Sequence, residues 1–418
     1  MLQPADIPLA FPPRASRDRA VVRSTRLLGL RCLHCAMRYP IALVHDGCPA
    51  CRARGVYVSL CADYLPSNRP SNRPSNRPSN RPSDSAHNLP YTQSVTLGEG
   101  NTPLLNLTEL AKLSSVARLR MKDESRNPTG SHKDRMSAVG ISQALEFGAH
   151  TVVLASSGNA AVSAARYAEA AGLACEVATY EGMPSAYVAQ LDALGAKRFM
   201  FEDNAARWAF VRERAALPGY FALTNYHLPA LGSAPLAIEG YKAIAYECFA
   251  DGYTPDHVMV PTARGDLAWG IYAGFADLLA AEQIKVLPKM WIVEPFARLT
   301  QVLAGQGLHG SFAGSTEQFS TAGATVTYLQ WQAAQLSGGG AVVVADATAH
   351  PARQVLMQHG IAPELCAAAG YSAVQTLRAD GRIKADCSVL CLLTADSSKD
   401  PSCTDASAAA LADSPLSN

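Results

Sequence analysis

From about residue 89 to residue 401 the sequence alternates short apolar, β-branched runs with Ala-rich helical stretches, and this alternation restricts the fold more than any other feature. "TVVLA" (Thr151 to Ala155) is followed by a Ser-Ser-Gly turn and the helical stretch "NAAVSAARYAEAAG". "HVMVPT" (His257 to Thr262) leads through "ARGD" into "LAWGIYAGFADLLAAE", and "KMWIVEP" and "CSVLCLLT" (Cys387 to Thr394) are two further strands. Strands separated by helices pair in parallel, with both sheet faces covered. Ligands of such sheets collect at the carboxyl ends of the strands. The chemically unusual loops of this chain occupy that position.

One of these loops is "NPTGSHKDR", Asn127 to Arg135. Pro128 and Gly130 punctuate a turn, Ser131 is a good N-cap, and a helix is expected to run from there to a stop at Gly148. Lys133 then sits in the first turn, where backbone N–H groups are unpaired and the helix dipole is positive. A free cation is poorly placed there, unless its amine loses its charge or is bonded to something. A second loop is "SSGNAA", Ser156 to Ala161, whose Gly158 lets the backbone approach a ligand. A third is "PTARGDLAWG", Pro261 to Gly270, whose helix start can cradle an anion with backbone N–H groups. Each is commonplace alone; their order and combination carry the information.

Ahead of this region, "LRCLHCAMRYPIALVHDGCPACRARG" places Cys32 and Cys35, then Cys48 and Cys51, as two CxxC pairs twelve residues apart. Two such knuckles can offer four sulfurs to one zinc ion, although the separation is a little short and a redox pair or unrelated thiols would share the spacing. A closed zinc ribbon over residues 20–64 is the expectation, with His34 and His45 as loop residues. Residues 65–88 contain PSNR four times over, from Pro66 to Arg81, with nothing apolar to bury. They are expected to form an extended, disordered linker. Residues 402–418 are expected to be a disordered tail. The other cysteines lie mostly in apolar surroundings and are read as reduced and buried.

The 418 residues are 48% hydrophobic with a formal net charge of +1, which gives no electrostatic reason to expect nucleic acid or an anionic membrane as partner. No apolar run approaches the ~20 residues of a membrane helix. The N-terminus, with an early Asp and several prolines, lacks the pattern of a signal peptide, so a cytoplasmic enzyme is expected.

Taken together, the loops resemble the threonine synthase group of the fold type II pyridoxal-phosphate enzymes, in the tryptophan synthase beta-like superfamily. "GEGNTPLL" (Gly98 to Leu105) matches the opening motif, "KDESRNPTGSHKDR" the Schiff-base lysine segment and "SSGNAAVSAARYA" the SSGNT-type loop. "IEGYKAIAYE", "PTARGDLAWGIYAGF", "GIAPELCAAAGYSA" and "LLTADSSKDP" resemble an EGxKTxAxE helix, the phosphate cup, an EPxSAA segment and a closing LTGHGLKDP. The resemblance implies two parallel-sheet α/β domains with the cofactor between them, the smaller over about residues 130–230, and a homodimer. It implies a Schiff base on Lys133, which also moves protons at the substrate Cα. Asn159 would meet the cofactor's 3-hydroxyl, Thr394 its ring nitrogen, and Thr262, Ala263, Arg264, Gly265 and Asp266 its phosphate. Ser156 and Ser157 would lie near the substrate.

The activity implied is elimination of a leaving group from an amino acid, with O-phosphohomoserine giving threonine and phosphate as the first case. For a phosphorylated substrate Lys122, Arg126 and Arg135 are candidate contacts, or else structural ion pairs. The alternatives are β-elimination or β-replacement on a serine-, threonine- or diaminopropionate-like amino acid, and a catalytically degenerate amino-acid-binding relative. Departures from the family pattern fall mainly on the substrate side: His132 for Phe, Ala160 for Thr, and Ala395 to Ser398 in the closing segment. His132 could tune the neighbouring amine or simply pack, and Arg264 could meet the phosphate or point to solvent beside Asp266.

Overall fold

The computed structural model describes residues 27–41, 46–64 and 94–400. The PSNR repeat, His45 and the 402–418 tail lie outside the described residues. The longest sheet has six strands in the order Gly340–Val343, Lys289–Glu294, His257–Pro261, Ser388–Leu393, Arg118–Asp123 and Leu104–Asn106. Every pairing in it is parallel except the last, where Leu104–Asn106 runs antiparallel to Arg118–Asp123. Its central strands are buried along their whole length, which is why His257–Pro261 and Ser388–Leu393 read as continuous apolar runs rather than alternating ones. Helix Leu365–Ala379 packs on one face, its Ala-rich sequence letting it lie close to strands Val389–Leu393.

A second sheet has four strands, all parallel, in the order Lys197–Met200, Ala174–Thr179, Thr151–Ala155 and Tyr220–Ala222. It is flanked by helices Asn159–Ala171 and Asn204–Ala215. Helix Lys133–Glu146 joins the two sheets: Met136, Ile141 and Ala144 belong to the core that spans both.

The segment with the four cysteines forms a three-stranded antiparallel sheet, Arg38–Tyr39, Leu27–Cys32 and Leu60–Tyr64. Its small core of Leu30, Val58 and Leu60 is completed by Leu236 from the main body. Ser59 donates its hydroxyl to the Leu231 carbonyl, and His34 Nδ1 lies 3.2 Å from the Tyr328 hydroxyl. The ribbon is therefore seated on the α/β body. No helix among the described residues is long and apolar enough to cross a membrane.

Candidate active site

The loop before Lys133 is fixed by its neighbour. Asp134 is buried and accepts from the Thr129 amide at 2.6 Å, the Thr129 hydroxyl at 2.5 Å and the Ser163 hydroxyl at 2.6 Å. One carboxylate thus ties the Pro-Thr-Gly turn to the start of the helix and to helix Asn159–Ala171. The helix begins at Lys133 itself, with His132 at the N-cap position. Ser131 still contributes, accepting the Lys133 amide at 3.3 Å, but one residue earlier than a regular cap. The His132 amide donates to the Thr394 carbonyl at 3.0 Å, and its Nδ1 lies 3.2 Å from the same oxygen. Burial, and then the Lys133 charge, holds the His132 imidazole neutral, so this ring packs and hydrogen-bonds rather than carrying charge beside the lysine.

Lys133 Nζ projects towards Tyr241, 3.5 Å from its hydroxyl. Burial pulls its pKa down; Asp266 and Glu364 oppose this and Arg264 assists it. The amine is thereby biased towards the neutral, nucleophilic form. It opens into a cavity of about 400 Å³, within the usual range of small-molecule sites. The cavity brings together Lys133, Ser156, Ser157, Asn159, Thr394 and the whole loop Thr262, Ala263, Arg264, Gly265 and Asp266.

Each wall has a structural cause. Ser156 caps helix Asn159–Ala171, accepting from Gly158 N at 3.4 Å and Ala161 N at 3.2 Å; Ser157 accepts from the Thr179 hydroxyl at 3.0 Å. Asn159 Oδ1 accepts from the Tyr187 hydroxyl at 3.2 Å, while its Nδ2 is buried without a partner. In the cup, Gly265 has φ +90°, and a Cβ there would lie 2.4 Å from Gln330 Cβ, so only glycine lets the chain turn into helix Asp266–Ala280 at this point. Asp266 does not pair with Arg264: its carboxylate accepts from the Ser233 hydroxyl at 2.6 Å and the Ser233 amide at 3.2 Å. Arg264 does not point to solvent either; its guanidinium lies over the Trp208 ring, 5.2 Å from the centroid.

The Thr394 hydroxyl donates to Glu364 Oε1 at 2.5 Å. Burial pushes the Glu364 carboxyl up to about 7, against the Thr394 and Ser320 hydrogen bonds. Glu364 lies inside the EPxSAA-like segment, yet its role is invisible locally, because Thr394 comes from another strand end. Arg207, Trp208 and Tyr241 also line or face this space without a sequence signal.

Lys122, Arg126 and Arg135 each form an ion pair, the alternative that the sequence left open for them. Lys122 is fully buried on the sheet, bonded to the Thr102 carbonyl at 2.6 Å and to Glu247 at 2.8 Å. Arg135 pairs with Glu124 and Glu247, each at 2.6 Å. Arg126 is largely exposed and pairs with Asp123 at 3.1 Å. None of the three lines the cavity; they are held by carboxylates elsewhere.

A neutral-leaning lysine, an anion cradle at a helix start and an orphan amide donor, all facing one space between two parallel-sheet units, define a site for an aldehyde cofactor that carries a phosphate. Residues 95–395 match the family described as "Pyridoxal-phosphate dependent enzyme", and the chain belongs to that family. It is 31% identical to threonine synthase from Halalkalibacterium halodurans over 75% of this chain and 87% of that one. It is also 31% identical to threonine synthase from Methanosarcina acetivorans, over 74% of this chain and 77% of that one. Among solved structures, maize serine racemase superposes with a TM-score of 0.63 at 18% identity, covering 75% of this chain and 93% of that one, which shows the shared fold. The residues fit the cofactor: the unpartnered Asn159 Nδ2 offers a donor where a phenolic oxygen would need one, and the loop Thr262 to Asp266 lines the same cavity at the start of helix Asp266–Ala280, where unpaired N–H groups suit a phosphate.

The four cysteine sulfurs of the ribbon lie within 4.8 Å of one another. Cys32 and Cys51 Sγ are 3.7 Å apart, Cys35 and Cys48 Sγ 3.6 Å. Tetrahedral zinc with bonds of about 2.3 Å puts sulfurs roughly 3.8 Å apart. The cluster fits a thiolate-bound metal.

Proposed function

We propose that this protein is a lyase of the threonine synthase type, eliminating a leaving group from an amino-acid side chain, with O-phosphohomoserine to threonine and phosphate as the first substrate to test. The observation that carries this reading is Lys133: a buried amine biased towards neutrality, facing Asn159, the phosphate cup and Thr394 across one cavity. When bound, the cofactor supplies the electron sink that makes the substrate's Cα proton removable. Lys133 would hold it and, with its amine free, would take and return that proton as general base and acid. Asn159 Nδ2, buried without a partner, would donate to the ring oxygen. The N–H groups at the start of helix Asp266–Ala280 would receive the phosphate. Thr394, bonded to Glu364 at 2.5 Å, would stand by the ring nitrogen, and Ser156 and Ser157 would stand on the substrate side.

The second reading, β-elimination or β-replacement on a serine-, threonine- or diaminopropionate-like amino acid, is favoured by the departures at Ala160 and Ala395 to Ser398. A catalytically degenerate relative is disfavoured, since a binding module has no need of an attachment lysine. In the same reading the four-cysteine cluster holds a structural zinc, and a homodimer in the cytoplasm is carried over from the family resemblance alone. The deciding experiment is borohydride trapping with peptide mapping, followed by assay of phosphate release from O-phosphohomoserine. A label on Lys133 with phosphate release supports the first reading; a label without turnover of any hydroxy, phospho or diamino substrate favours the degenerate one. No label on Lys133 refutes both enzyme readings.

A further inference from the structure

Tyr241 ends the short helical turn Ala237–Tyr241, and two glycines let that turn lie against the helix of Lys133. A Cβ at Gly240 would fall 2.0 Å from the Arg135 carbonyl oxygen, and one at Gly270 would fall 2.4 Å from Tyr241 Cβ. The close approach therefore depends on both positions having no side chain. The phenol it delivers is fully buried beside the neutral His132 ring, with centroids 5.8 Å apart. A buried hydroxyl needs a hydrogen-bond partner. The acids around this one are committed elsewhere: Glu124 to Arg135, Asp134 to Thr129 and Ser163, and Asp266 to Ser233. Among the described residues the hydroxyl's one partner is Lys133 Nζ, at 3.5 Å. The amine is in the same position. Of the charged groups that act on it, Asp266 and Glu364 give their oxygens to Ser233, Thr394 and Ser320, and Arg264 opposes its ionisation.

A lysine that takes a proton and gives it back must be held in two states. The neutral amine offers a lone pair and needs a donor, whereas the ammonium needs an acceptor. A carboxylate beside it would fix the charged form, and a cation the neutral one. A hydroxyl serves either state by turning its O–H. Burial, and then Asp266, Glu124 and Asp134, keep this phenol from ionising, so it stays a hydroxyl throughout. We propose that Tyr241 is a positioning residue for Lys133, a neutral two-way partner that holds the amine in both protonation states and so sets how fast it exchanges a proton with the substrate Cα. The inference rests on the lyase reading above and adds to it a residue that touches the lysine and not the substrate.

The test compares the cofactor-loaded wild type with Tyr241→Phe in deuterium oxide. L-Alanine and L-α-aminobutyrate have no leaving group, so loss of their Cα–H signal in proton NMR reports the proton step alone. Their binding is followed separately by the change in visible absorbance. A hydrogen bond from a charged donor is worth more than one to a neutral amine, so removing the hydroxyl makes the amine less basic. Saturated exchange should therefore slow about tenfold or more, and the limb on which its rate rises with pH should move to lower pH by about one unit. Amino-acid and cofactor affinities should stay within about twofold of wild type, and Lys133 should still take the borohydride label. Exchange within about twofold of the wild-type rate overturns the proposal. So does slower exchange matched by an equal loss of cofactor or amino-acid binding, which a phenol that only packs would give. If Tyr241→Phe does not fold, a ring-fluorinated tyrosine at this position decides. It keeps the shape but makes the hydroxyl a stronger donor and a weaker acceptor, so the limb should again move to lower pH; an unmoved limb overturns the proposal. Failure of the lyase reading is separate, since it appears as a wild type with no Lys133 label and no exchange.

Discussion

Replacing Glu364 with Gln should remove a pH dependence of stability that the wild-type protein carries at the heart of its site. Glu364 is 2% exposed, accepts from Thr394 at 2.5 Å and from Ser320 at 3.2 Å, and its carboxyl is raised from 4.5 to about 7, chiefly by burial. The folded protein therefore holds this proton more tightly than the unfolded chain does. Between about pH 4.5 and about 7 the folded state binds the extra proton, so stability falls as pH rises through this window and levels off above it. At about 1.4 kcal/mol per pH unit the whole window is worth roughly 3 kcal/mol. Glutamine has a carbonyl oxygen that can still accept the Thr394 hydroxyl, so Glu364→Gln deletes the proton linkage and leaves the hydrogen bond. Urea denaturation of the cofactor-free protein and the variant, at intervals from pH 4.5 to 8, measures it. The wild type minus variant difference should fall by roughly 3 kcal/mol across the range, and the other titrating groups cancel in the subtraction. A difference independent of pH would refute the reasoning, because Glu364 would then titrate like an ordinary exposed carboxylate.

Glu247→Gln should cost about 3–5 kcal/mol, since it leaves Lys122 and Arg135 buried with one carboxylate fewer, and a fall in thermal midpoint checks it. Glu247 is held down to about 2, with Arg135 and then Lys122 overcoming its burial, so the stabilisation it gives is present above about pH 4.5 and is lost as pH drops towards 2. Lys122→Met should lower stability without altering substrate affinity, and a binding titration separates this outcome from a direct role in the cavity. Asn159→Ala should weaken cofactor binding by about ten- to a hundredfold in an absorbance titration, as expected on removing a buried hydrogen bond to a charged oxygen, and should leave the Lys133 label in place. Cys48→Ser should release about one metal ion per chain by elemental analysis and lower the melting temperature. It should also weaken pyridoxal phosphate binding more than binding of pyridoxal, because the ribbon sits against supports of the phosphate cup.

The strands at Thr151–Ala155, His257–Pro261, Lys289–Glu294 and Ser388–Leu393 are legible in the sequence because a strand covered on both faces must be apolar throughout, and such runs stand out. Lys133 is legible for a local reason too: the turn chemistry of Pro128 and Gly130 marks the start of its helix. Lys122 is not, because its fate depends on Glu247, a residue from a distant helix that only the folded sheet brings beside it. Arg207 and Trp208 sit in "NAARWAFVRERA", which reads as an ordinary half-solvated helix; what marks Arg207 is that its side chain is buried with hydrogen bonds only to the neutral Ala178 carbonyl and Asn204 Oδ1. Glu364 stands within a segment that the family resemblance covers, but a carboxyl acquires a raised pKa from its surroundings. Motifs report what a loop can do; compensation of charge is a property of the assembled interior.

The seating of the four-cysteine ribbon would couple a metal held there to the cofactor in the α/β body. Ser59 grips the carbonyl of Leu231, beside the turn where Ser233 pins Asp266, and His34 meets Tyr328, next to the Thr327 hydroxyl that bonds the Arg264 carbonyl. Whatever factor a filled cluster adds to retention of the vitamin-derived cofactor, the cofactor must return to retention of the metal, because binding linkage is reciprocal. Shortage of the vitamin would then show itself as leakage of metal, and shortage of metal as slow loss of colour.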